Sequence, residues 1–399
     1  MSAAQNAMNT LNSQWYNILV SQLGNGLDPS TFQLIQAYEA AGTTSEWLWN
    51  IFDAVPPASI SNYYNPTQLN HFSQDYAGVS SALIPQGQLQ FEEDMGSSYT
   101  AWNNYKKTIS PIPTSPLEWI NAFTNWANVN LQQSIVTKAI NDYKSMLTDP
   151  IVVAQNMLLQ LQYAAKNPGI YAYTTTYNQL QVALNKSEPG KVTLDSSTDS
   201  SDISHTWAKT EVGGFFDIFA GAGDSSYDKY TTQVSQAGVK IEASFDKVAN
   251  FSGSPLYEPS GDVELQNYTP WFNSAALHEG YSDKSNNTWK SGDAINWNST
   301  FGPNGNLPRI TGALIIVDGI NLSLTSNCEL DSGDRTTFKA AAEGGIWPFF
   351  EASGSGGWNT TTTFDDSGNV TVSSVCAAGN PQILGAIVTP ITDLWKANS

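Results

Sequence analysis

The ten residues 237–246, AGVKIEASFD, decide where this chain turns from helix to sheet. Ala237, Val239, Ile241, Ala243 and Phe245 alternate with Gly238, Lys240, Glu242, Ser244 and Asp246. That period of two is the pattern of a strand with one face buried. The same reading predicts further strands over 312–325, 358–364, 370–376 and 383–388, with Asp365-Asp-Ser-Gly-Asn369 as a hairpin turn between two of them.

Upstream, the signals belong to helices. Asp28-Pro29, Asn65-Pro66, Ser115-Pro116 and Asp149-Pro150 each set a capping side chain before a proline suited to a first helical position. Ser115 with Glu118, and Thr43 with Glu46, have capping-box spacing. After Pro116 the residues Ile120, Phe123, Ala127, Leu131, Ile135, Ala139, Tyr143 and Met146 step by three or four, which predicts one long helix with a single buried face. A second helix is predicted over 150–166, ending before Asn167-Pro168-Gly169, and a third over 171–184. From Lys191 the texture turns to Gly, Ser, Thr and Asn, and LDSSTDSSDIS over 194–204 reads as an exposed connection. The predicted class is therefore α+β: an N-terminal helical bundle over 1–190, a linker over 191–206, and a β-rich, antiparallel, sandwich-like domain over 207–399.

Composition narrows the function classes. The chain has 399 residues, 40% hydrophobic but only 13% charged, against about 25% charged in an ordinary soluble protein. Much of its polar surface must then come from Asn, Gln, Ser and Thr. The net charge is −19, with seventeen Lys and Arg in all and Arg309 and Arg335 the only arginines, which argues against nucleic acid as a partner. The first lysine or arginine is Lys106 and no apolar run approaches the roughly 20 residues of a spanning helix. Neither a signal peptide nor a transmembrane helix is expected, so export, if any, takes a non-classical route. Cys328 and Cys376 form either one disulfide or two buried thiols.

No metal or cofactor is expected. His71, His205 and His278 stand outside HExxH, HxH or CxxC spacing, and GxSxG, P-loop and GxGxxG motifs are absent. Asp195, Asp199 and Asp202, or Asp365, Asp366 and Asn369, offer oxygen ligands without matching a calcium loop. An enzyme reading would rest on two carboxylates: Glu343 and Glu351 flank the apolar run 344–350, with Asp331 and Asp334 close in sequence. The bland alternative makes 331–334 a turn, and the chain reads more readily as a non-enzyme.

Two aromatic segments carry the functional reading. In NNTWKSGDAINWNSTFGPNGN, residues 286–306, Trp289 and Trp297 lie eight apart among polar residues, suited to stacking on sugars or lodging at a membrane interface or, alternatively, to filling a sandwich core and anchoring loops. In VGGFFDIFAGAG, residues 212–223, burial of Phe215, Phe216, Ile218 and Phe219 is worth about 1.5–3 kcal/mol each, so something covers them. Either the segment fills a seam between domains, or it is a membrane wedge with Asp217 as its charged, pH-sensitive element. The leading expectation is a non-enzymatic, membrane-active or self-assembling protein of pore-forming, toxin-like type, with a lipid membrane as partner and a homo-oligomer as its working form. The alternatives are a glycan-binding or scaffold protein using the Trp-rich loops, and a carboxylate-dependent glycoside hydrolase.

Overall fold

The computed structural model describes residues 3–23, 27–35, 42–59, 65–66, 69–113, 115–164, 169–199, 224–285, 287–343, 346–347, 350–351 and 357–396. In chain order the elements begin with α1 (Ala3–Gln22), β1 (Phe32–Leu34), α2 (Ser45–Asp53), α3 (Phe72–Ala82), α4 (Gln86–Met95) and α5 (Ser98–Lys106). There follow α6 (Pro116–Asn130), α7 (Gln133–Thr148), α8 (Pro150–Tyr163), α9 (Tyr177–Lys186), β2 (Gly190–Asp195), α10 (Asp224–Ala237) and β3 (Val239–Ser252). The remainder comprises α11 (Ser274–Ser282), α12 (Trp297–Phe301), β4 (Arg309–Ser326), α13 (Ser332–Glu343), β5 (Ile346–Trp347) and β6 (Phe350–Glu351). The chain ends with β7 (Trp358–Phe364), β8 (Val370–Cys376), β9 (Gln382–Pro390) and α14 (Asp393–Lys396).

These elements fall into two compact units. The first takes Met1–His71, Tyr173–Ser254 and Arg309–Pro390; the second takes Phe72–Ala172, Pro255–Pro308 and Ile391–Ser399.

The first unit is built on the alternating stretch. β3 pairs with β4 in one antiparallel register from Val239↔Ser326 to Ser252↔Ala313. On its other side β4 has two successive partners: β8 along Ile320 to Ser326 and β9 along Arg309 to Val317. β2 extends the sheet beside β3, β7 beside β8, and β1 beside β9. Where β8 gives way to β9, the chain makes an excursion through 377–381. The buried Asp318 meets it: Oδ1 accepts the amides of Gly379 and Asn380 at 2.9 and 3.1 Å. The next residue, Gly319, has φ +64°, and a Cβ there would lie 2.2 Å from Asp246 Oδ2. Glycine is required by both the left-handed backbone and the close approach. Across this point the parity of burial changes, since Ile315 and Val317 share a core with Ile320, Leu322 and Leu324. Trp15 and Leu19 of α1, Val234 of α10 and Phe338 of α13 complete that core.

The second unit is helical. Ser115 and Glu118 make the expected capping box at α6, at 3.2 Å in both directions. The apolar stripe that predicts one long helix instead runs over two. Leu131 is extended (φ −103°, ψ 155°) and ends α6, yet Phe123, Ala127, Leu131, Ala139 and Tyr143 still share one core. Asp149 caps α8 through Ile151 N at 2.9 Å and also accepts Gly87 N at 3.0 Å. Among the capping signals of the first unit, Thr44 and not Thr43 caps α2. Asp28 holds a turn before β1 through Ser30 N at 2.8 Å and starts no helix.

Three expectations need correction. The class is α+β, but helices and strands interleave: α1, β1 and α2 belong with the sheet, and α11, α12 and α14 from the C-terminal half belong with the helices. The described residues form one seven-stranded sheet faced by helices and a two-stranded β5–β6 ribbon, in place of a sandwich of two sheets. The pore-forming, membrane-active, toxin-like reading also falls. Among the described residues no helix is long and apolar enough to cross a membrane, and the strands form an open sheet, not a closed barrel. The apolar positions that alternate along β3 face α1 and α10 in the core, leaving that face no lipid to meet.

Asp318→Ala leaves the Gly379 and Asn380 amides without their acceptor, and we expect a loss of about 2–3 kcal/mol in urea unfolding. Asp366→Ala, in the exposed β7–β8 turn, should stay within about 0.5 kcal/mol of the parent.

Candidate glycan-binding surface

The second unit carries a group of partly exposed aromatic side chains whose position is set from the core outward. Trp271 is fully buried, donates Nε1–H to Ala172 O at 2.7 Å, and stands edge-on to Tyr76 with centroids 5.8 Å apart. Tyr76, on α3, accepts Asn273 N at 2.8 Å, and burial pushes its phenol up to about 12. Asn273 in turn caps α11 through Ala275 N and Ala276 N at 3.0 and 3.3 Å. A buried phenol therefore fixes the first turn of the helix that bears the site.

The loop after α11 is stitched to the end of α3. Lys290 N donates to Ala82 O and Ile84 N donates to Thr288 O, each at 2.8 Å. Its internal brace is Asp283. The carboxylate accepts Ser285 Oγ and Ser285 N (3.1 Å) on one oxygen, and Thr288 N and Thr288 Oγ1 (2.8 Å) on the other. The Ser285 hydroxyl, together with the Thr288 donors and the Ser285 amide, holds this carboxyl down at about 2 against the opposing effect of burial. Trp289 follows at once, buried at 3% exposure, with Nε1–H donated to Gly280 O at 3.2 Å. A Cβ on Gly280 would lie 3.3 Å from its ring, so the indole packs directly on the helix backbone.

Asn296 starts α12 with a capping box, its Oδ1 accepting Asn298 N and Ser299 N while Ser299 Oγ accepts its amide at 2.9 Å. That box sets Trp297, which is half-exposed and donates Nε1–H to Tyr281 O at 2.7 Å. The ring of Tyr281 lies 6.0 Å from Trp297 and 5.3 Å from Trp395 of α14, and His278 stacks on Trp395 at 5.3 Å and 25°. Phe301 backs the group, edge-on to Tyr281 at 5.2 Å and to the buried Trp289 at 6.2 Å. Tyr281, Trp297, Phe301 and Trp395 are half-exposed and His278 is exposed, so they form one aromatic band from α12 across α11 to α14. Lys284 Nζ lies 5.0 Å from the centroid of Trp297.

The two indoles singled out in sequence thus have different places: Trp289 is an interior brace and Trp297 is on the surface. Tyr281 and Lys284 escape the sequence reading; Phe301 lies within the 286–306 stretch without being singled out, and Trp395 counts there only as one of the tryptophans of the C-terminal half. The spacing of three between His278 and Tyr281 was a usable signal, since it puts both on one side of α11. Nothing local connects Trp395 to them.

The other candidates serve the fold where their geometry is described. Asp331 Oδ1 accepts Gly333 N and Asp334 N at 3.0 and 2.9 Å and so opens α13, while Asp334 pairs with Lys229. The turn reading of 331–334 is the one the geometry supports. Glu343 ends α13 and Glu351 ends β6; their side chains lie outside the described residues. Asp365 closes the β7–β8 hairpin on Asn369 N at 2.9 Å, and Asp195 holds a turn on Ser197 N at 3.0 Å. His71 Nδ1 faces the buried Asp53 at 3.3 Å in the first unit. Cys328 is partly buried and Cys376 buried, both as free thiols. Phe215, Phe216, Asp217, Ile218 and Phe219 lie outside the described residues, as do Asp202, His205 and Trp207. Glu279, beside His278 on α11, is pushed upward by burial and then by the charge of Asp149. Asp149 itself is committed to the amides of Gly87, Ile151 and Val152, which removes it as a second catalytic carboxylate.

No family model, no curated protein and no solved structure matches this chain.

Asp283 gives the site a pH signature. Its folded value of about 2 lies below the value of about 3.9 in an unfolded chain. Its contribution to stability is therefore complete above pH 4 and disappears as the pH falls toward 2. Thermal melts from pH 5 to 2 should show the parent losing stability more steeply than Asp283→Asn, and parallel curves would contradict this assignment.

Proposed function

We propose that this protein binds carbohydrate through the aromatic band of its second unit, with Trp297, Tyr281 and Trp395 as the contact rings. One observation carries the reading: three half-exposed rings form a continuous surface, and the indole of Trp297 is locked by its own hydrogen bond to Tyr281 O. A pyranose has an apolar C–H face and a rim of hydroxyls. The face of a single ring takes the C–H face, the neighbouring rings, tilted by 43° and 48°, flank it, and nearby polar groups take the rim. Asn298 and Ser282 are exposed on the elements that bear the rings and supply such groups.

Preorganisation supports the same reading. The middle of the band and one of its ends are tied down before any ligand arrives: α11 by Tyr76 and Asn273, and α12 by its capping box. Little rotamer entropy is left to lose on binding. The charge-poor, amide- and hydroxyl-rich composition suits a neutral, hydrogen-bonding ligand surface better than a polyanionic one.

Glycan-array and calorimetric binding test this. Trp297→Ala should weaken binding by about thirtyfold, the scale of a central aromatic contact worth about 2 kcal/mol. Trp358→Ala, a half-buried indole on β7 of the other unit, should bind like the parent. Binding of the parent to no glycan on the array, or equal binding by both variants, would sink the proposal.

A further inference from the structure

Resting on that glycan-binding reading, we infer that the ligand is an acidic glycan, one bearing a carboxylated sugar whose carboxylate is received by the Lys284 ammonium beside Trp297. Acids outnumber Lys and Arg by 36 to 17 in this chain, and four lysines are paired with carboxylates. Lys138 has Asp94 and Asp142, Lys229 has Asp334, Lys240 has Glu242 and Lys247 has Asp318. Among the described residues Lys284 makes no ion pair, as is also true of Lys107, Lys144 and Lys191; what sets it apart is its place at the aromatic band, with Nζ 5.0 Å from the centroid of Trp297.

The absence of a pair has a local cause. The adjacent carboxylate, Asp283, has both oxygens turned into the loop and filled by donors from Ser285 and Thr288. The nearest acid in sequence is thus withdrawn, and an exposed ammonium with three donors is left at the edge of the aromatic band. Its four-carbon stem lets it swing from the ring face as a sugar stacks there and follow the carboxylate of that sugar. At the other end of the band, the exposed His278 adds an imidazole for hydroxyl contacts.

The global charge limits how acidic the ligand is. At −19 the chain repels a polyanion as a whole. At physiological salt that repulsion is screened beyond about 8 Å, whereas the contact with Lys284 is not. A glycan with one carboxylate at the bound residue gains the contact without meeting the full field. Sialylated and uronate-terminated chains both satisfy this chemistry.

Titration calorimetry with four probes tests it: sialyllactose against lactose, and a glucuronosyl-terminated oligosaccharide against its glucosyl counterpart. In at least one pair the parent should bind the acid about fivefold more tightly than its neutral partner, the scale of one exposed charge contact. The pair that shows this identifies the acid's source, and raising the salt should shrink the preference. Lys284→Gln should abolish it while leaving neutral binding in place. Trp297→Ala should lose both members of the pair. Equal binding of acid and neutral probes by the parent, or a preference that survives in Lys284→Gln, overturns this inference and leaves the glycan reading standing. Tighter binding of polygalacturonate than of either single-acid probe overturns the single-carboxylate form. Failure of the parent to bind any probe, or Trp297→Ala binding like the parent, brings down the glycan reading and this inference with it.

Discussion

The ladder between β3 and β4 is the constraint on which the first unit depends. It runs in a single register from Val239↔Ser326 to Ser252↔Ala313, longer than any other strand pair in the chain. A ribbon of that length twists, and no single strand of ordinary length can follow one of its edges throughout. The chain solves this by giving β4 two partners in succession. Asp318 sits where they meet and binds the loop between them through backbone amides. A carboxylate placed there would be costly without partners. With three amide contacts it becomes a pin that keeps β8 and β9 in line along one strand.

Much of the sheet was legible because it rests on local alternation. The strands over 358–364 and 370–376 and the Asp365 turn match β7, β8 and their hairpin. The failures have physical causes. β1 is three residues long, too short to carry a period, and it joins the sheet only by pairing with β9, more than 350 residues away. The stripe from Ile120 to Met146 keeps helical spacing through the break at Leu131 because both helices address one core, so periodicity reports the shared interior and not the continuity of the backbone. Interleaving of the two units leaves no trace in composition, since each segment looks like its neighbours until its partners are known.

The candidate site was half legible for a related reason. Tryptophans in polar sequence mark either a surface or an anchor, and residue type does not separate them. What separates Trp289 from Trp297 is the partner of each indole and what lies over it: Trp289 packs against Gly280 and Leu83's bridge, while Trp297 reaches Tyr281 O from the rim. The buried indole has a consequence for the exposed one. Trp289 supports Phe301, and Phe301 supports Tyr281 and Trp297, so the surface rings rest on an interior ring and not on loop backbone alone.

That dependence bears on selectivity. A surface made largely of amides, hydroxyls and rings can hold a sugar, but each hydrogen bond it makes replaces one to water and discriminates weakly. Rings add affinity through shape and add little discrimination between sugars that share an apolar face. In such a surroundings a single unpaired ammonium is the group with the largest difference between one ligand and the next. Its effect depends on Asp283 being held inward, because a carboxylate released from Ser285 and Thr288 would pair with Lys284 and neutralise it. The brace that shapes the loop is therefore also what keeps the cation available, and under the proposed glycan reading the loop's fold and the selectivity proposed for it rest on the same four donors.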